Sequence, residues 1–127
     1  MRIIAVDDEE LALERLMTAI QQAAPEAELH GFFYPEDALA FLQNNGCDVA
    51  FLDVEMADIS GVELARKLKE KNPDVNIIFA TGFSRYREAA FDLHASGYLT
   101  KPITTDKVRK ELAELRRPVA KAKRMRV

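Results

Sequence analysis

Short apolar runs alternate with amphipathic segments along almost the whole of this 127-residue chain. The runs at residues 3–6, 49–52 and 75–80 are rich in β-branched side chains and nearly continuous, which is typical of parallel strands covered on both faces. Weaker runs at 27–33 and 97–100 suit the edges of a sheet. Because strand and helix alternate, the sequence predicts one α/β domain with a parallel sheet and helices on both of its faces.

The segments between these runs carry helix signals. Helical spacing places buried faces on the first and last helices, at Leu13, Leu16, Met17, Ile20, Ala24 and at Val108, Leu112, Leu115. Pro35 begins the second helix, and Ser60 is placed to cap the third, with Glu63 three residues later as a capping box. The pattern therefore predicts five helices for five strands.

Composition excludes several classes of protein. The chain is 48% hydrophobic and 31% charged, which is enough apolar material for a core and argues against disorder. Its longest apolar runs are far shorter than the ~18 residues of a membrane span. The acidic residues 7–10 interrupt the first apolar run, which argues against a secretory leader. The single cysteine, Cys47, excludes an internal disulfide. We expect a cytoplasmic protein with no membrane partner.

Charge is distributed unevenly along the chain. Residues 1–106 hold 9 basic and 19 acidic side chains, whereas residues 107–127 hold 9 basic and 2 acidic ones. A basic tail on an acidic body could contact nucleic acid, but a solvated linker or an exposed helix face is the simpler interpretation. We expect the domain to span residues 1–117, with Pro118 ending the last helix and a basic linker at 118–127 leading to an output domain that this chain lacks.

Polar residues follow four of the five predicted strands. Asp7 and Asp8 follow the first, Asp53 the third, Thr81 the fourth, and Lys101 with Pro102 the fifth. Ligands of such sheets bind at the carboxyl ends of the strands, so these side chains should gather at one edge.

Three carboxylates at one edge imply a cation. One acid after a strand is commonly only a helix cap, and Asp8 alone could cap the first helix. Three converging acids repel one another, so Lys101 and a divalent ion should compensate them, and Mg²⁺ suits a few carboxylate ligands. A carboxylate beside such an ion can attack phosphorus and form an aspartyl phosphate. No glycine-rich phosphate loop is present, so a bound nucleotide is not needed.

These strand-end residues resemble those of the receiver domain of two-component response regulators, the CheY-like domain. The matching stretches run in order from residue 1 to about 115, and they are residues 6–9, 51–56, 60–61, 80–82 and 97–102. The resemblance implies a doubly wound, flavodoxin-like sheet of five parallel strands in the order 2-1-3-4-5 with five helices.

The resemblance also implies a role for each site residue. Asp53 would accept a phosphoryl group from a histidine kinase. Mg²⁺ would be held by the side chains of Asp8 and Asp53, the backbone carbonyl of Glu55 and, through water, Asp7. Lys101 would pair with Asp53 and then with the phosphate, and a cis bond would join it to Pro102. Thr81 would move to the phosphate while Tyr98 turns inward. Such a chain is a self-catalysing phosphoacceptor and not a turnover enzyme.

Three residues depart from the family pattern. Ala57 stands where the family often has proline, so the loop after Asp53 is expected to be looser. Glu55 adds a charge near the site, and Phe83 is bulky enough to shield the phosphate from water. The charge of Glu55 should not abolish metal binding if only its backbone is a ligand, and it bears on the rate of hydrolysis. The alternative for Phe83 is an apolar residue that packs on the fourth helix.

The expected output is transcription, with DNA contacted only through the absent domain. A homodimer is expected through the fourth helix, fifth strand and fifth helix, where charges of both signs gather at Arg85, Arg87, Glu88, Asp92, Asp106, Lys107, Arg109, Lys110 and Glu111, with Tyr98.

Three alternatives stay open. A stand-alone receiver would act by protein–protein interaction. An aspartyl-phosphate phosphatase would use Glu55 as its acid, two residues after the nucleophile. A flavin-binding module of similar topology would require a loop rich in Ser, Thr and Gly where the acidic residues 7–10 stand.

Overall fold

The computed structural model describes residues 1–83, 85–117 and 119. The sheet has five parallel strands in the order β2-β1-β3-β4-β5, which confirms the predicted fold. The strands are β1 (Arg2–Val6), β2 (Glu28–Phe32), β3 (Val49–Leu52), β4 (Asn76–Thr81) and β5 (Gly97–Thr100). The helices are α1 (Glu10–Ala23), α2 (Pro35–Asn44), α3 (Gly61–Lys71), α4 (Arg87–Asp92) and α5 (Thr105–Ala113).

The core lies in two layers, one on each face of the sheet. Successive residues of a strand point to opposite faces, so each strand supplies both layers. In β1, Ile3 and Ala5 pack with α1 and α5, whereas Ile4 and Val6 pack with residues of α2, α3 and α4. The central strands β1, β3 and β4 are almost wholly buried, which explains their nearly continuous apolar sequence.

Helix ends follow the sequence signals with one exception. The Ser60 hydroxyl accepts a hydrogen bond from the Glu63 amide at 3.1 Å, as expected of a helix cap. The last helix is shorter than its apolar spacing predicts: α5 ends at Ala113, and Leu115 packs against the core from beyond the end of the helix. Beyond it, the amide of Arg116 donates to the Ser96 hydroxyl, just before β5, and the amide of Arg117 donates to the side chain of Asn76 in β4.

Pro118 and the predicted linker at 118–127 lie outside the described residues, apart from Val119. Within the described part of the chain, no helix has the length and apolar character needed to cross a membrane.

Candidate functional site

Strand register brings the predicted site residues together. Val6 pairs with Leu52, Leu52 with Phe79, and Thr81 with Thr100. Asp7, Asp53 and Lys101 each follow one of these strand ends, so they emerge at the same edge of the sheet. The expected gathering of acids, hydroxyl and ammonium is therefore what the fold produces.

The three acids form a compact cluster. Asp7, Asp8 and Asp53 each offer a carboxylate oxygen, and these oxygens lie within 4.8 Å of one another. Asp7 and Asp53 are buried, with 1% and 7% of their surface exposed, whereas Asp8 lies open to solvent. Hard oxygen ligands that are partly accessible to water suit a divalent cation that keeps some of its hydration shell. The donor set thus fits a metal ion.

Backbone amides hold each carboxylate in place. Asp7 accepts a hydrogen bond from the Glu9 amide at 3.0 Å, and Asp53 accepts one from the Val54 amide at 3.0 Å. Asp8 accepts one from the amide of Ala57 at 2.8 Å. Asp8 is therefore not the cap of α1; that helix has Glu9 at its N-cap and no side-chain cap.

Ala57 has a specific consequence here. Proline has no amide hydrogen, so a proline at this position could not make the bond to Asp8. The loop after Asp53 is tied to the acid cluster by that bond, where the sequence alone suggested a looser loop.

Lys101 supplies the fixed positive charge of the site. Its ammonium donates to Asp7 Oδ2 at 3.0 Å and lies 3.8 Å from Asp53 Oδ1, so Asp7 is the nearer partner. The bond between Lys101 and Pro102 is cis. Lys107 donates to the carbonyls of Thr100 and Pro102, on either side of Lys101, and so holds this segment.

The electrostatics of the cluster act most strongly on Asp53. Burial, and after it the charge of Asp7, raises the pKa of Asp53 from 3.8 to about 6. Lys101, the nearby Thr81 hydroxyl and the Val54 amide oppose that rise. At neutral pH the carboxyl is mostly ionised, which is its nucleophilic form.

Thr81 ends β4 beside this carboxylate. It is completely buried, and its hydroxyl has no partner of hydrogen-bonding geometry within the described residues. Buried hydroxyls are rarely left without a partner, and the group that this one acts on is the Asp53 carboxyl, whose pKa it lowers.

Tyr98 is attached to the loop that follows Thr81. Its hydroxyl donates to the backbone carbonyl of Phe83, its ring packs 6.2 Å from the ring of Phe79, and the guanidinium of Arg87 lies 4.7 Å above its face. Tyr98 thus joins β5 to the β4–α4 loop.

The carboxylate of Glu55 is engaged away from the acid cluster. It accepts hydrogen bonds from the Arg85 guanidinium and the Tyr86 hydroxyl, both at 2.6 Å. Arg85 also lies 4.3 Å above the ring of Phe83, which is 40% exposed. The extra negative charge expected near the site is therefore paired with a cation from the segment leading into α4.

Sequence reasoning missed this pairing and one close approach. No spacing rule connects Glu55 with Arg85, which lies 30 residues later. Gly61 belongs to the matching stretch at residues 60–61, and a Cβ on it would lie 2.0 Å from the backbone oxygen of Asp53. The position of Gly61 at the first residue of a helix was the available signal.

Comparison with known proteins agrees with this geometry. The family model for the response regulator receiver domain matches residues 3–113, and the chain belongs to that family. It is 30% identical to the sensory transduction protein LytT of Bacillus subtilis (strain 168), over 92% of this chain and 48% of that protein. It is 31% identical to the transcriptional regulatory protein LytR of Staphylococcus aureus (strain N315), over 95% of this chain and 49% of that protein.

The chain spans about half the length of the curated relatives it matches. Among solved structures, it is similar to the response regulator TrrA of Thermotoga maritima, crystallised in complex with Mg²⁺-BeF. That match has a TM-score of 0.77 and 31% identity, and it covers 88% of this chain and 96% of the other.

Proposed function

We propose that this receiver domain accepts a phosphoryl group on Asp53 from a histidine kinase. The observation that carries the proposal is the convergence of the buried Asp53 carboxyl with the Lys101 ammonium and the Thr81 hydroxyl at one sheet edge. A carboxylate oxygen of Asp53 would attack the phosphorus of a phosphohistidine. The new O–P bond forms as the N–P bond breaks, and the imidazole nitrogen keeps the electron pair.

Mg²⁺ is the metal we propose for the acid cluster. The side chains of Asp8 and Asp53 and the backbone carbonyl of Glu55 would hold it, with Asp7 acting through water. The three clustered carboxylate oxygens support this set, as does the Mg²⁺ bound to TrrA. When bound, the ion would offset the negative charge that the cluster and a phosphoryl group share.

Two donors of the chain would respond to the new charge. A phosphoryl group adds about −1.5 to −2 charges at neutral pH, and these require hydrogen-bond donors. Lys101 is already within 4 Å of Asp53, and the Thr81 hydroxyl, which acts on the same carboxyl, would turn to the phosphate. Because Tyr98 binds the carbonyl of Phe83, two residues after Thr81, a shift of Thr81 would be passed to Tyr98 through Phe83.

The phosphatase and the flavin-binding module have less support from the structure. A phosphatase would need Glu55 free to deliver a proton, whereas Arg85 and Tyr86 both bind its carboxylate. A flavin phosphate would meet the carboxylates of Asp7 and Asp8 after β1. We therefore propose a phosphoacceptor that does not turn over a substrate.

We propose transcription as the output, in the cytoplasm, with DNA contacted by a further domain. The support is the similarity to LytR, which is a transcriptional regulatory protein about twice the length of the matched region. A receiver that acts only through protein–protein contacts remains the alternative output.

We also propose that activation favours a homodimer through α4, β5 and α5. Several charges of this face are already paired within the chain, such as Arg109 with Asp106 at 2.7 Å, whereas Phe91 on α4 is 77% exposed. Sedimentation with beryllofluoride and Mg²⁺ should show a larger dimer fraction, which Phe91→Asp reduces and Tyr34→Asp, another exposed aromatic, does not. An unchanged mass up to high micromolar protein would refute the dimer.

Intact-mass spectrometry after incubation with acetyl phosphate tests the phosphoacceptor itself. The wild type should gain one phosphoryl group only when Mg²⁺ is present, and Asp53→Asn should gain none. Asp58→Asn removes an exposed acid of the same loop and should label like the wild type. Labelling of Asp53→Asn at the wild-type level would refute the assignment.

A further inference from the structure

Asn76 is a buried polar residue at the start of β4, and the four residues that follow it are apolar. Only 1% of its surface is exposed. Its amide nitrogen donates to the carbonyls of Asp48 at 3.0 Å and Arg117 at 3.2 Å, and its amide oxygen accepts from the Arg117 amide at 2.8 Å and the Ser96 hydroxyl at 2.7 Å. Both donors and both acceptor positions of the side chain are therefore used. Two of these four bonds hold the main chain of one residue, Arg117.

Ser96 extends the same contact by one residue. Its hydroxyl donates to Asn76 and accepts from the Arg116 amide at 3.2 Å, while its own amide donates to Ile77 at the beginning of β4. Two side chains at the starts of β4 and β5 thus bind two consecutive amides of the segment that follows α5. Such a network is well satisfied, and satisfied buried networks favour one arrangement.

Charge does not explain why this segment lies here. Burial lowers the pKa of Lys69, and the nearby charges of Arg117 and Arg116 lower it further, so the segment brings like charges together. Among the described residues, the acid paired with Arg117 is Asp74, at 3.9 Å, and both side chains are more than half exposed. A pair of that kind contributes little.

From these contacts we infer that Asn76 and Ser96 form an exit clamp, which fixes the main chain of Arg116 and Arg117 at one place against the sheet. This exit clamp binds the chain to the amino ends of β4 and β5, and Asp53 lies at the opposite, carboxyl edge of the sheet. Whatever follows Arg117 therefore starts from a fixed point on the two strands that end in Thr81 and Thr100. The inference goes beyond the proposed phosphotransfer and does not depend on it.

Amide hydrogen exchange, followed residue by residue by NMR without any activator, tests the exit clamp. Ser96→Ala removes the acceptor of the Arg116 amide and one partner of Asn76. We expect the Arg116 and Arg117 amides to exchange at least about tenfold faster in this variant, with Val108 in α5 unchanged apart from any loss of global stability. Asn76→Ala should have a larger effect, and the milder Ser96 variant keeps the test valid if that protein does not fold.

Two control variants separate the exit clamp from other causes. Ser60→Ala also removes a serine hydroxyl that accepts from a backbone amide, but at the start of α3, and it should leave Arg116 and Arg117 protected. Asp74→Asn removes the ion pair of Arg117 and should also leave them protected. Unchanged exchange in Ser96→Ala, or equal acceleration in Ser60→Ala, would overturn the inference.

Limited trypsin digestion gives a second readout. The product ending at Arg116 should form faster from Ser96→Ala than from the wild type, because the clamped main chain cannot enter a protease site. Raising the salt concentration should leave the wild-type rate low, since salt weakens ion pairs much more than the uncharged hydrogen bonds of the exit clamp. Faster cleavage of the wild type after Arg116 at high salt would show that ion pairs hold this segment in place, and it would overturn the inference.

Discussion

Gly61 lies directly against the main chain of Asp53. A Cβ built on Gly61 would lie 2.0 Å from the Asp53 carbonyl oxygen and 2.9 Å from the Cα of Val54. The amide of Gly61 also donates to the Val54 carbonyl at 2.7 Å. The first turn of α3 is thus packed on the backbone that carries the proposed phosphoacceptor, and only hydrogen fits between them.

Gly61→Ala should therefore disturb both stability and the site. The added methyl group meets backbone atoms, which cannot move aside as a flexible side chain can, so we expect a loss of roughly 1–3 kcal/mol in the free energy of unfolding. Labelling of Asp53 by acetyl phosphate should slow as well. Gly46→Ala is the matched control, because nothing lies within 4 Å of the methyl group that it would add, and its stability should be unchanged. Urea unfolding and the rate of labelling measure both effects. Equal stability and equal labelling rates for Gly61→Ala and Gly46→Ala would contradict the close approach.

The raised pKa of Asp53 predicts a pH-dependent stability of the metal-free protein. The folded protein holds this proton more tightly than the unfolded chain, so the contribution of Asp53 to stability falls as pH rises from about 4 to about 6 and is constant above that range. Asp53→Asn should lack this component and be more stable at pH 7 by about 1–2 kcal/mol, a figure that allows for solvent screening at this partly buried carboxyl. Urea unfolding in EDTA at several pH values measures the difference. A variant less stable than the wild type at pH 7 would contradict it.

Lys101→Met should destabilise the metal-free protein. Asp7 is buried and would lose its cation, which we expect to reduce the free energy of unfolding by roughly 1–3 kcal/mol at pH 7. The pKa of Asp53 should rise further, because Lys101 is the strongest of the groups that oppose its rise. Lys107→Met removes a neighbouring ammonium that donates to the carbonyls of Thr100 and Pro102, and it should leave that pKa unchanged. An NMR titration of the Asp53 carboxyl carbon measures this pKa in each protein. Identical values in the wild type and Lys101→Met would contradict the predicted rise.

Asp8→Asn should weaken Mg²⁺ binding by at least about tenfold, because it removes one of the few charged ligands of an open site. The amide oxygen can still accept the bond from Ala57, so the loop should keep its place. Without metal the variant should be slightly more stable than the wild type, since one of three mutually repelling acids is gone. Calorimetric titration with Mg²⁺ compares it with Asp58→Asn, an exposed acid outside the cluster. Equal affinity for all three proteins would show that Asp8 is not a ligand.

The sequence was most informative where one periodicity decides the structure. The continuous apolar runs at residues 49–52 and 75–80 predicted buried parallel strands, since both faces of such strands need apolar side chains. The proximity of residues directly after strands, such as Asp53 and Thr81, could be predicted because parallel strands end at a common edge of the sheet.

Contacts between loops could not be predicted in this way. Glu55 pairs with Arg85 because two loops lie in contact, and no local sequence pattern predicts such a contact. The bond from Ala57 to Asp8 depends on an amide that any residue except proline provides, so the residue type at position 57 gave no positive signal. Asn76 did leave a signal, as a polar residue directly before four apolar ones, but its partners Asp48, Ser96 and Arg117 lie 28, 20 and 41 residues away.

Locating the phosphoryl group tests the central claim most directly. After acetyl phosphate and Mg²⁺, borohydride reduces an acyl phosphate to the alcohol, so a phosphorylated aspartate becomes homoserine that peptide mass spectrometry can place. We predict homoserine at position 53 and at no other aspartate. Homoserine at position 7 or 8 with an unmodified Asp53 would contradict the account.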